Sequence, residues 1–258
     1  MSDQPIVQNV AQTFYDRLAP QYDQFYQDWD ETVRSEARFL QGIFAEFGFD
    51  HSARILDCAC GIGTQAIGLA ALGYDVTGSD LSAGEIAEAK RRAAERGVRI
   101  RLEQADFRAL SSAFSEPFDL VIAMDNALPH MLTSEALNAA VRSMVGQIKA
   151  NGIFVASIRD YDSLLISKPP YSPPYIHKTV AGQRVSFQTW VWKGDHYYLT
   201  QYIIDDEETL QISKFSCEYR ATRREELTRL LLSNGCHEVD WLFPEETKFY
   251  QPIVVARK

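Results

Sequence analysis

The stretch RILDCACGIG, residues 54–63, joins a short apolar segment to a glycine-rich turn. Glycines at such a turn let the backbone pass close to a bound nucleoside and free the amides at the start of the next helix. The spacing differs from the dinucleotide fingerprint because Ala66 stands where a third glycine is expected and Asp57 precedes the turn. The stretch predicts the first strand and turn of a nucleoside-binding α/β domain.

Apolar segments alternate with helical patterns on the C-terminal side of this turn. Strands are predicted over residues 54–58, 75–78, 98–104, 118–124 and 152–158, and helices over 64–72, 82–96 and 133–149. Ser82 and Glu85 have the spacing of a capping box, and Gly97 is a stop signal for the same helix. The alternation is typical of a parallel sheet covered by helices on both faces.

The segments that flank this core have other patterns. Aromatic residues at spacings of three and four over residues 14–47 predict two amphipathic helices. After Asp160, a proline-rich loop leads to segments in which apolar and polar residues alternate. They predict antiparallel strands over 184–193, 196–205 and 209–220, with a turn at Lys193-Gly194-Asp195. This antiparallel block could be a lid over the sheet. Thr222 is expected to cap a helix that ends near Gly235, followed by strands around 239–243 and 253–256.

The composition limits the classes of function. With 258 residues and 46% hydrophobic content, we interpret the chain as one domain: a helical cap (1–50), a cofactor-binding core (51–160), an acceptor-side β insertion (161–220) and a C-terminal helix with strands (221–258). The net charge of -9 and the lack of a block of consecutive Lys or Arg argue against nucleic acid and anionic membranes as partners. The first ten residues contain no apolar run, so we expect no signal peptide and no spanning helix. We expect a cytoplasmic location.

The cysteines and histidines do not have the spacing of metal ligands. Cys58 and Cys60 have the alternating spacing of a buried strand, and Cys217 and Cys236 stand far apart in the chain. We interpret all four as reduced, structural thiols and expect no metal site.

Two further strand ends carry acidic residues. Asp80, in the stretch GSDL (residues 78–81), could accept hydrogen bonds from both hydroxyls of a ribose. Asp106 and Phe107 after the third strand offer a carboxylate for an adenine amino group and an aromatic face for its ring. Each could instead be a helix cap, a turn residue or a core residue, but their positions at successive strand ends favour an adenosine site without phosphates.

With these residues, the sequence resembles the class I methyltransferases that use S-adenosylmethionine. The resemblance implies an α/β, Rossmann-like fold with a seven-stranded, mostly parallel sheet whose last strand is antiparallel, in addition to the β insertion. It implies S-adenosylmethionine as cofactor and S-adenosylhomocysteine as product, without a metal. Asp57 would hold the methionine end, with His130 nearby, and Arg34 would meet the cofactor's carboxylate. The other cofactor residues implied are Ala59, Gly61, Gly63, Asp80, Leu81, Asp106, Phe107, Met124, Tyr15, Tyr22 and Trp29.

For several of these residues the structural alternative stays open. The aromatic residues near the N-terminus could form a helix face packed on the core, and His130 could be a helix-terminal residue without a ligand.

The acceptor side resembles glycine N-methyltransferase and its bacterial glycine and sarcosine relatives. The stretches MDNALPH (124–130) and IRDYD (158–162) carry this resemblance, together with SKF (213–215). It implies that Arg159 binds the acceptor carboxylate and that Asn126 accepts a hydrogen bond from the acceptor amine. Tyr175, Tyr219 and Tyr250 would surround the methyl group.

Asp125 departs from that family, which has a small residue at this position. A carboxylate there could pair with a cationic acceptor, such as a guanidino or substituted amino group, or take the proton lost on methylation, so glycine itself is in question. We expect an enzyme that N-methylates a small amino acid, amine or guanidino compound. O-methylation of a small acid or phenol and a non-catalytic cofactor-binding role are the alternatives. The sequence does not predict the oligomeric state.

Overall fold

The structure, a computed structural model, describes residues 10–179, 182–206 and 210–258. Residues 1–9, which belong to the segment where no signal peptide is expected, and Thr209, the first residue of a predicted strand, lie outside the described residues. None of the helices in the described ranges is long and apolar enough to cross a membrane.

Eleven strands are present in the described ranges. In chain order they are β1 (Arg54–Asp57), β2 (Asp75–Asp80), β3 (Arg101–Gln104), β4 (Phe118–Ala123), β5 (Ile148–Ser157), β6 (Tyr175–Lys178), β7 (Gln183–Lys193), β8 (His196–Asp206), β9 (Leu210–Arg220), β10 (Glu238–Leu242) and β11 (Ile253–Arg257).

Seven of these strands form the main sheet in the order β10-β11-β5-β4-β1-β2-β3. Every pairing is parallel except those of β11, which runs antiparallel to both β5 and β10. The prediction of a mostly parallel sheet with an antiparallel last strand is confirmed. Because parallel strands end at the same edge, the residues after β1, β2, β4 and β5 are brought together there.

Helices cover both faces of this sheet. They are α1 (Val10–Leu18), α2 (Trp29–Glu46), α3 (Thr64–Ala71), α4 (Ala83–Glu95), α5 (Ser134–Gly146), α6 (Tyr161–Ser167), α7 (Arg224–Ser233) and α8 (Pro244–Thr247). One buried core lies against α2, α3 and α4, and the other against α1, α5 and α7. Burial on both faces explains why residues 120–123 of β4 and 153–156 of β5 are continuous apolar runs and do not alternate with polar residues.

The strands β6 to β9 form a separate antiparallel sheet, which confirms the predicted block. Strands β7 and β8 meet at a two-residue turn, where Lys193 pairs with His196 and Gly194 takes the left-handed conformation (φ 65°) that this turn requires. Tyr197, Phe215 and Tyr219 of this sheet belong to the same buried core as Phe14 of α1. The second sheet therefore packs against α1, beside the carboxyl edge of the main sheet.

Several predicted boundaries are wrong. Cys58 and Cys60 follow β1 in the turn instead of lying within a strand, although all four cysteines are free and buried. The third strand begins at Arg101, and the helix predicted to reach residue 149 ends at Gly146, because β5 starts at Ile148 and extends further than its apolar part. The short elements α6, β6 and α8 have no counterpart in the prediction.

Two caps differ from the prediction for identifiable reasons. Ser82 caps α4, with its Oγ accepting from the Glu85 amide at 3.0 Å, but the Glu85 carboxyl does not return a bond because Asp80 already accepts from the Ser82 amide at 2.9 Å. Thr222 does not cap α7: the capping position is Arg223, and no side chain bonds there. The helix therefore begins one residue later than predicted, and Thr222 is buried.

Candidate active site

Two cavities open at the carboxyl edge of the main sheet. The first has a volume of about 580 Å³ and the second about 520 Å³. Tyr15, Tyr22 and Asp125 line both cavities and therefore form the boundary between them. Open α/β sheets bind ligands at this edge.

The first cavity is built on the turn after β1. Gly61 and Gly63 have φ angles of 51° and 93°, in the left-handed region, and a Cβ on Gly63 would lie 2.6 Å from Cδ1 of Ile67. Only glycine fits at residue 63. The Gly61 amide donates to Oδ2 of Asp80 at 3.0 Å, while Oδ1 accepts from the Ser82 amide. Burial raises the pKa of Asp80 to about 6.

Asp57 is fully buried at the end of β1 and is not part of the cavity wall. Its Oδ1 accepts a long hydrogen bond, 3.4 Å, from the Ala59 amide, and no donor among the described residues reaches Oδ2. Burial raises the pKa of this carboxyl to about 8. Asp57, which was predicted to hold the methionine end of the cofactor, therefore lies behind the cavity wall.

Ten of the fourteen residues predicted to bind the cofactor line the first cavity: Ala59, Gly61, Asp80, Leu81, Asp106, Phe107, Met124, His130, Tyr15 and Tyr22. Asp106 is held by Arg108, whose Nε lies 2.9 Å from Oδ2. Burial alone would raise the pKa of Asp106, but the hydrogen bonds from Arg108 keep this pKa below its ordinary value.

His130 contacts two tyrosines, one from the wall of the first cavity and one from the wall of the second. Its Nε2 is 2.9 Å from the hydroxyl of Tyr15, and its ring centre is 4.2 Å from that of Tyr219. Burial lowers the pKa of His130 to about 3, and the positive charge of Arg159 contributes in the same direction. The imidazole is therefore neutral at physiological pH.

Two residues predicted to close over the cofactor are placed elsewhere. Trp29 is buried between the guanidinium groups of Arg92 and Arg96, each 4.6 Å from its rings, and donates to Oγ1 of Thr64 at 3.0 Å. Arg34 is on the exposed side of α2 and pairs with Glu31 at 2.8 Å. Neither residue lines a cavity, because the helix turns Arg34 outward and Trp29 into the core.

All six residues predicted for the acceptor side line the second cavity: Asp125, Asn126, Arg159, Tyr175, Tyr219 and Tyr250. Asp125 and Asn126 both adopt the left-handed region, with φ angles of 56° and 69°. Two consecutive residues of this kind are strained. Ser157 holds them in place, since its Oγ accepts from the Asp125 amide at 2.8 Å and its carbonyl from the Asn126 amide at 3.1 Å.

Asn126 cannot accept from an acceptor amine as the sequence predicts. Its Oδ1 already accepts from the Arg159 amide at 3.1 Å and from the Tyr161 hydroxyl at 2.9 Å, which uses both lone pairs. Because a backbone amide can only donate, the atom that faces it must be the oxygen. Asn126 therefore has its NH₂ group to offer, a donor suited to a carboxylate or hydroxyl.

Arg159 carries a buried positive charge beside the second sheet. Nη1 donates to the Tyr197 hydroxyl at 2.9 Å, Nη2 donates to Oε1 of Gln188 at 3.0 Å, and the guanidinium carbon lies 4.9 Å from the Trp190 ring centre. No carboxylate among the described residues pairs with it. A guanidinium has five N–H donors, and two of them are used within the described residues, which leaves three for a ligand.

The sequence patterns did not predict that Tyr197, Gln188 and Trp190 are part of the site. The period-2 pattern of the predicted strands does place Gln188 and Trp190 on one face. It does not tell which face meets the main sheet.

Asp125 belongs to a chain of hydrogen bonds that the sequence also did not reveal. Its Oδ1 accepts from the Tyr250 hydroxyl at 2.7 Å, and its Oδ2 from Nε2 of Gln65 at 2.8 Å. The same nitrogen donates to Oε2 of Glu36 at 2.6 Å. Burial and the neighbouring Asp125 raise the pKa of Glu36 to about 9, and burial also raises the pKa of Asp125. Tyr175 stands at the rim and is exposed.

Residues 55–152 match the family described as a methyltransferase domain. This stretch of the chain is similar to methyltransferase domains. Among curated proteins, it is 32% identical over 139 residues to a glycine/sarcosine N-methyltransferase of Parasynechococcus marenigrum, covering 54% of this chain and 48% of that one. It is 29% identical over 147 residues to a glycine/sarcosine N-methyltransferase of Aphanothece halophytica, covering 55% and 54%. The chain thus spans about half the length of these relatives.

Solved structures share the fold of this chain beyond the matched stretch. The sugar N-methyltransferase KedS8 of a Streptoalloteichus species superimposes with a TM-score of 0.74 at 19% identity, over 92% of each chain. Within the described residues of our structure, no group of three His, Cys, Asp or Glu side chains converges as a metal site.

Proposed function

We propose that the protein transfers a methyl group from S-adenosylmethionine to the nitrogen of a small acceptor that carries both a carboxylate and an amino or guanidino group. One observation carries this proposal: the first and second cavities share Tyr15, Tyr22 and Asp125 as their boundary. Two ligands, one in each cavity, would meet at these three side chains. Methyl transfer requires this arrangement, because the reacting atoms must approach to about 3 to 3.5 Å.

The residues of the first cavity fit S-adenosylmethionine. Asp80 keeps one lone pair on each carboxylate oxygen for a ribose hydroxyl. When bound, the cofactor supplies an electrophilic methyl group on its sulfonium, which a neutral acceptor amine takes with release of S-adenosylhomocysteine. The neutral imidazole of His130 adds no repulsion to that positive charge.

The residues of the second cavity fit the two ends of an amino or guanidino acid. Arg159 and the NH₂ group of Asn126 offer donors to a carboxylate, while Asp125 offers a carboxylate to a cation. Asp125 also lies where it can take a proton from an acceptor ammonium and leave the amine neutral. Within the described residues, Arg159 has no acidic partner and Asp125 has no basic one, so the acceptor would complete both pairs.

The second cavity leaves room for an acceptor larger than glycine. Its volume of about 520 Å³ lies in the range of cavities that hold drug-sized ligands. The relatives act on glycine and sarcosine, so we infer that this chain uses the same kind of carboxylate recognition for a longer amino or guanidino acid.

A coupled assay of S-adenosylhomocysteine release tests the proposal on a panel of glycine, sarcosine, dimethylglycine, guanidino acids, simple amines and phenols. We expect turnover with an acid that bears an amino or guanidino group, and none with the matched amine that lacks the carboxylate. Turnover of phenols instead would establish O-methylation. Binding of S-adenosylhomocysteine without turnover of any member would favour a non-catalytic role or a larger acceptor.

A further inference from the structure

Glu36 and Asp125 share one hydrogen-bond donor. The amide nitrogen of Gln65 lies 2.6 Å from Glu36 and 2.8 Å from Asp125, and because an NH₂ group has two hydrogens, each carboxyl receives one. Gln65 is buried, and its position on the first turn of α3 holds it between the two acids. Asp125 lines both cavities, whereas Glu36 lines neither. Glu36 therefore reaches the site through Gln65.

Within the described residues, no cation contacts this carboxyl pair, although Arg159 lines the second cavity together with Asp125. The titratable groups that face it from the neighbouring elements are Tyr22, Tyr26, Asp57 and Tyr250. No Lys, Arg or His of the described residues pairs with either acid. Two neighbouring carboxyls in a poorly solvated place cannot both be ionised at neutral pH.

The hydrogen bonds determine where the single proton resides. Asp125 receives two bonds, from Tyr250 and Gln65, which stabilise its charged form. Glu36 receives one within the described residues, from Gln65. The charge thus stays on Asp125, at the cavity wall, and the proton on Glu36, behind it. The pKa of Glu36, raised to about 9, agrees with this distribution.

We propose, building on the proposed function, that Glu36 is a positioning residue that couples acceptor binding to proton release. The pair holds one proton while the second cavity is empty. When the cationic end of an acceptor reaches Asp125, it supplies the missing positive charge, and the proton of Glu36 passes to solvent. No bond other than this O–H bond is broken.

The coupling would make the site selective for cationic acceptors. A bound cation meets two negative charges once the proton has left. The affinity of the protein for a cationic acceptor therefore rises with pH, by up to about tenfold per pH unit where one full proton is released on binding. A ligand that has the carboxylate but a neutral opposite end gains nothing from the second carboxyl.

Calorimetry on the full chain saturated with S-adenosylhomocysteine tests this coupling without turnover. Guanidinoacetate is the probe, because its guanidinium keeps its own proton in this range. Titrations at pH 7.5 in phosphate and in Tris, which differ in ionisation enthalpy, give the number of protons released. We expect up to about one proton per bound probe for the unmodified protein and almost none for Glu36→Gln. Glu31→Gln, an exposed substitution on the same helix, should leave the number unchanged.

A second measurement covers the case in which Glu36→Gln does not fold. Carbon-13 NMR of the protein labelled at glutamate carboxyls should show a resonance that titrates near pH 9 and moves to its ionised position when guanidinoacetate is added. Equal heats in the two buffers, unchanged release in Glu36→Gln, no glutamate resonance that titrates above pH 7, or no binding of guanidinoacetate would each overturn the coupling. In all these cases, binding of S-adenosylhomocysteine and methyl transfer to another amine would leave the proposed function intact.

Discussion

The hydroxyl of Tyr15 lies 2.9 Å from Nε2 of His130 and joins α1 to the loop after β4 at the boundary of the two cavities. The burial of the ring keeps this imidazole neutral, and the nearby charge of Arg159 acts in the same direction. A group that is neutral when folded and charged when unfolded makes the stability of the protein depend on pH.

His130 should make the protein less stable in acid. The pKa of His130 is about 3 in the folded chain and about 6.5 in an unfolded one, so between these values the unfolded state binds a proton that the folded state does not. The free energy of unfolding should therefore fall as the pH drops below 6.5. Relative to His130→Gln, the loss should approach about 1.4 kcal/mol per pH unit, measured by urea unfolding at pH 5, 6 and 7. A constant difference between the two proteins would contradict the buried neutral state.

Asp80→Asn should weaken cofactor binding. The change removes the charge that would accept two ribose hydroxyls, while it keeps the size of the side chain. We expect the affinity for S-adenosylhomocysteine to fall by about ten- to a hundredfold, as charge-assisted hydrogen bonds are worth about 1.5–3 kcal/mol. Asp75→Asn, at the opposite end of the same strand, is the control and should have no effect. Equal affinities by calorimetry would refute the ribose role.

Arg159→Ala should affect the acceptor far more than the cofactor. The guanidinium is the buried cation of the second cavity, and its loss leaves an acceptor carboxylate without its partner. We expect the acceptor KM to rise at least about tenfold, with the KM for S-adenosylmethionine almost unchanged. Arg184→Ala removes an arginine of β7 that pairs with Asp205 outside both cavities and serves as control. Equal increases in both KM values would exclude carboxylate binding by Arg159.

Gly63→Ala should destabilise the turn that supports the first cavity. The residue has φ 93°, and the new Cβ would lie 2.6 Å from Ile67. We expect a loss of about 1–3 kcal/mol in the free energy of unfolding. Gly42→Ala in α2 is the matched control: a Cβ there meets nothing within 4 Å, so the change should stabilise the helix by up to about 1 kcal/mol. Similar effects of both substitutions would show that the turn tolerates a side chain.

The sequence alone predicted the arrangement that makes a site possible. Apolar strands alternate with helices, and Asp57, Asp80 and Asp106 stand at the ends of successive strands. These features are local and periodic, and parallel pairing necessarily brings such strand ends to one edge. For the same reason, the residues that follow β4 and β5, such as Asp125 and Arg159, could be assigned to the second cavity.

Only the tertiary structure decided which atoms of these residues stay free. Asn126 gives its oxygen to Tyr161 and to the backbone, and Asp125 meets Gln65, 60 positions away in the chain, which in turn binds Glu36. Such hydrogen bonds depend on how α2, α3 and the second sheet pack, and on two left-handed residues after β4 that no sequence period encodes. Local patterns place a residue at the edge of the sheet, but residues far away in the chain decide which hydrogen-bond partner each buried polar atom finds.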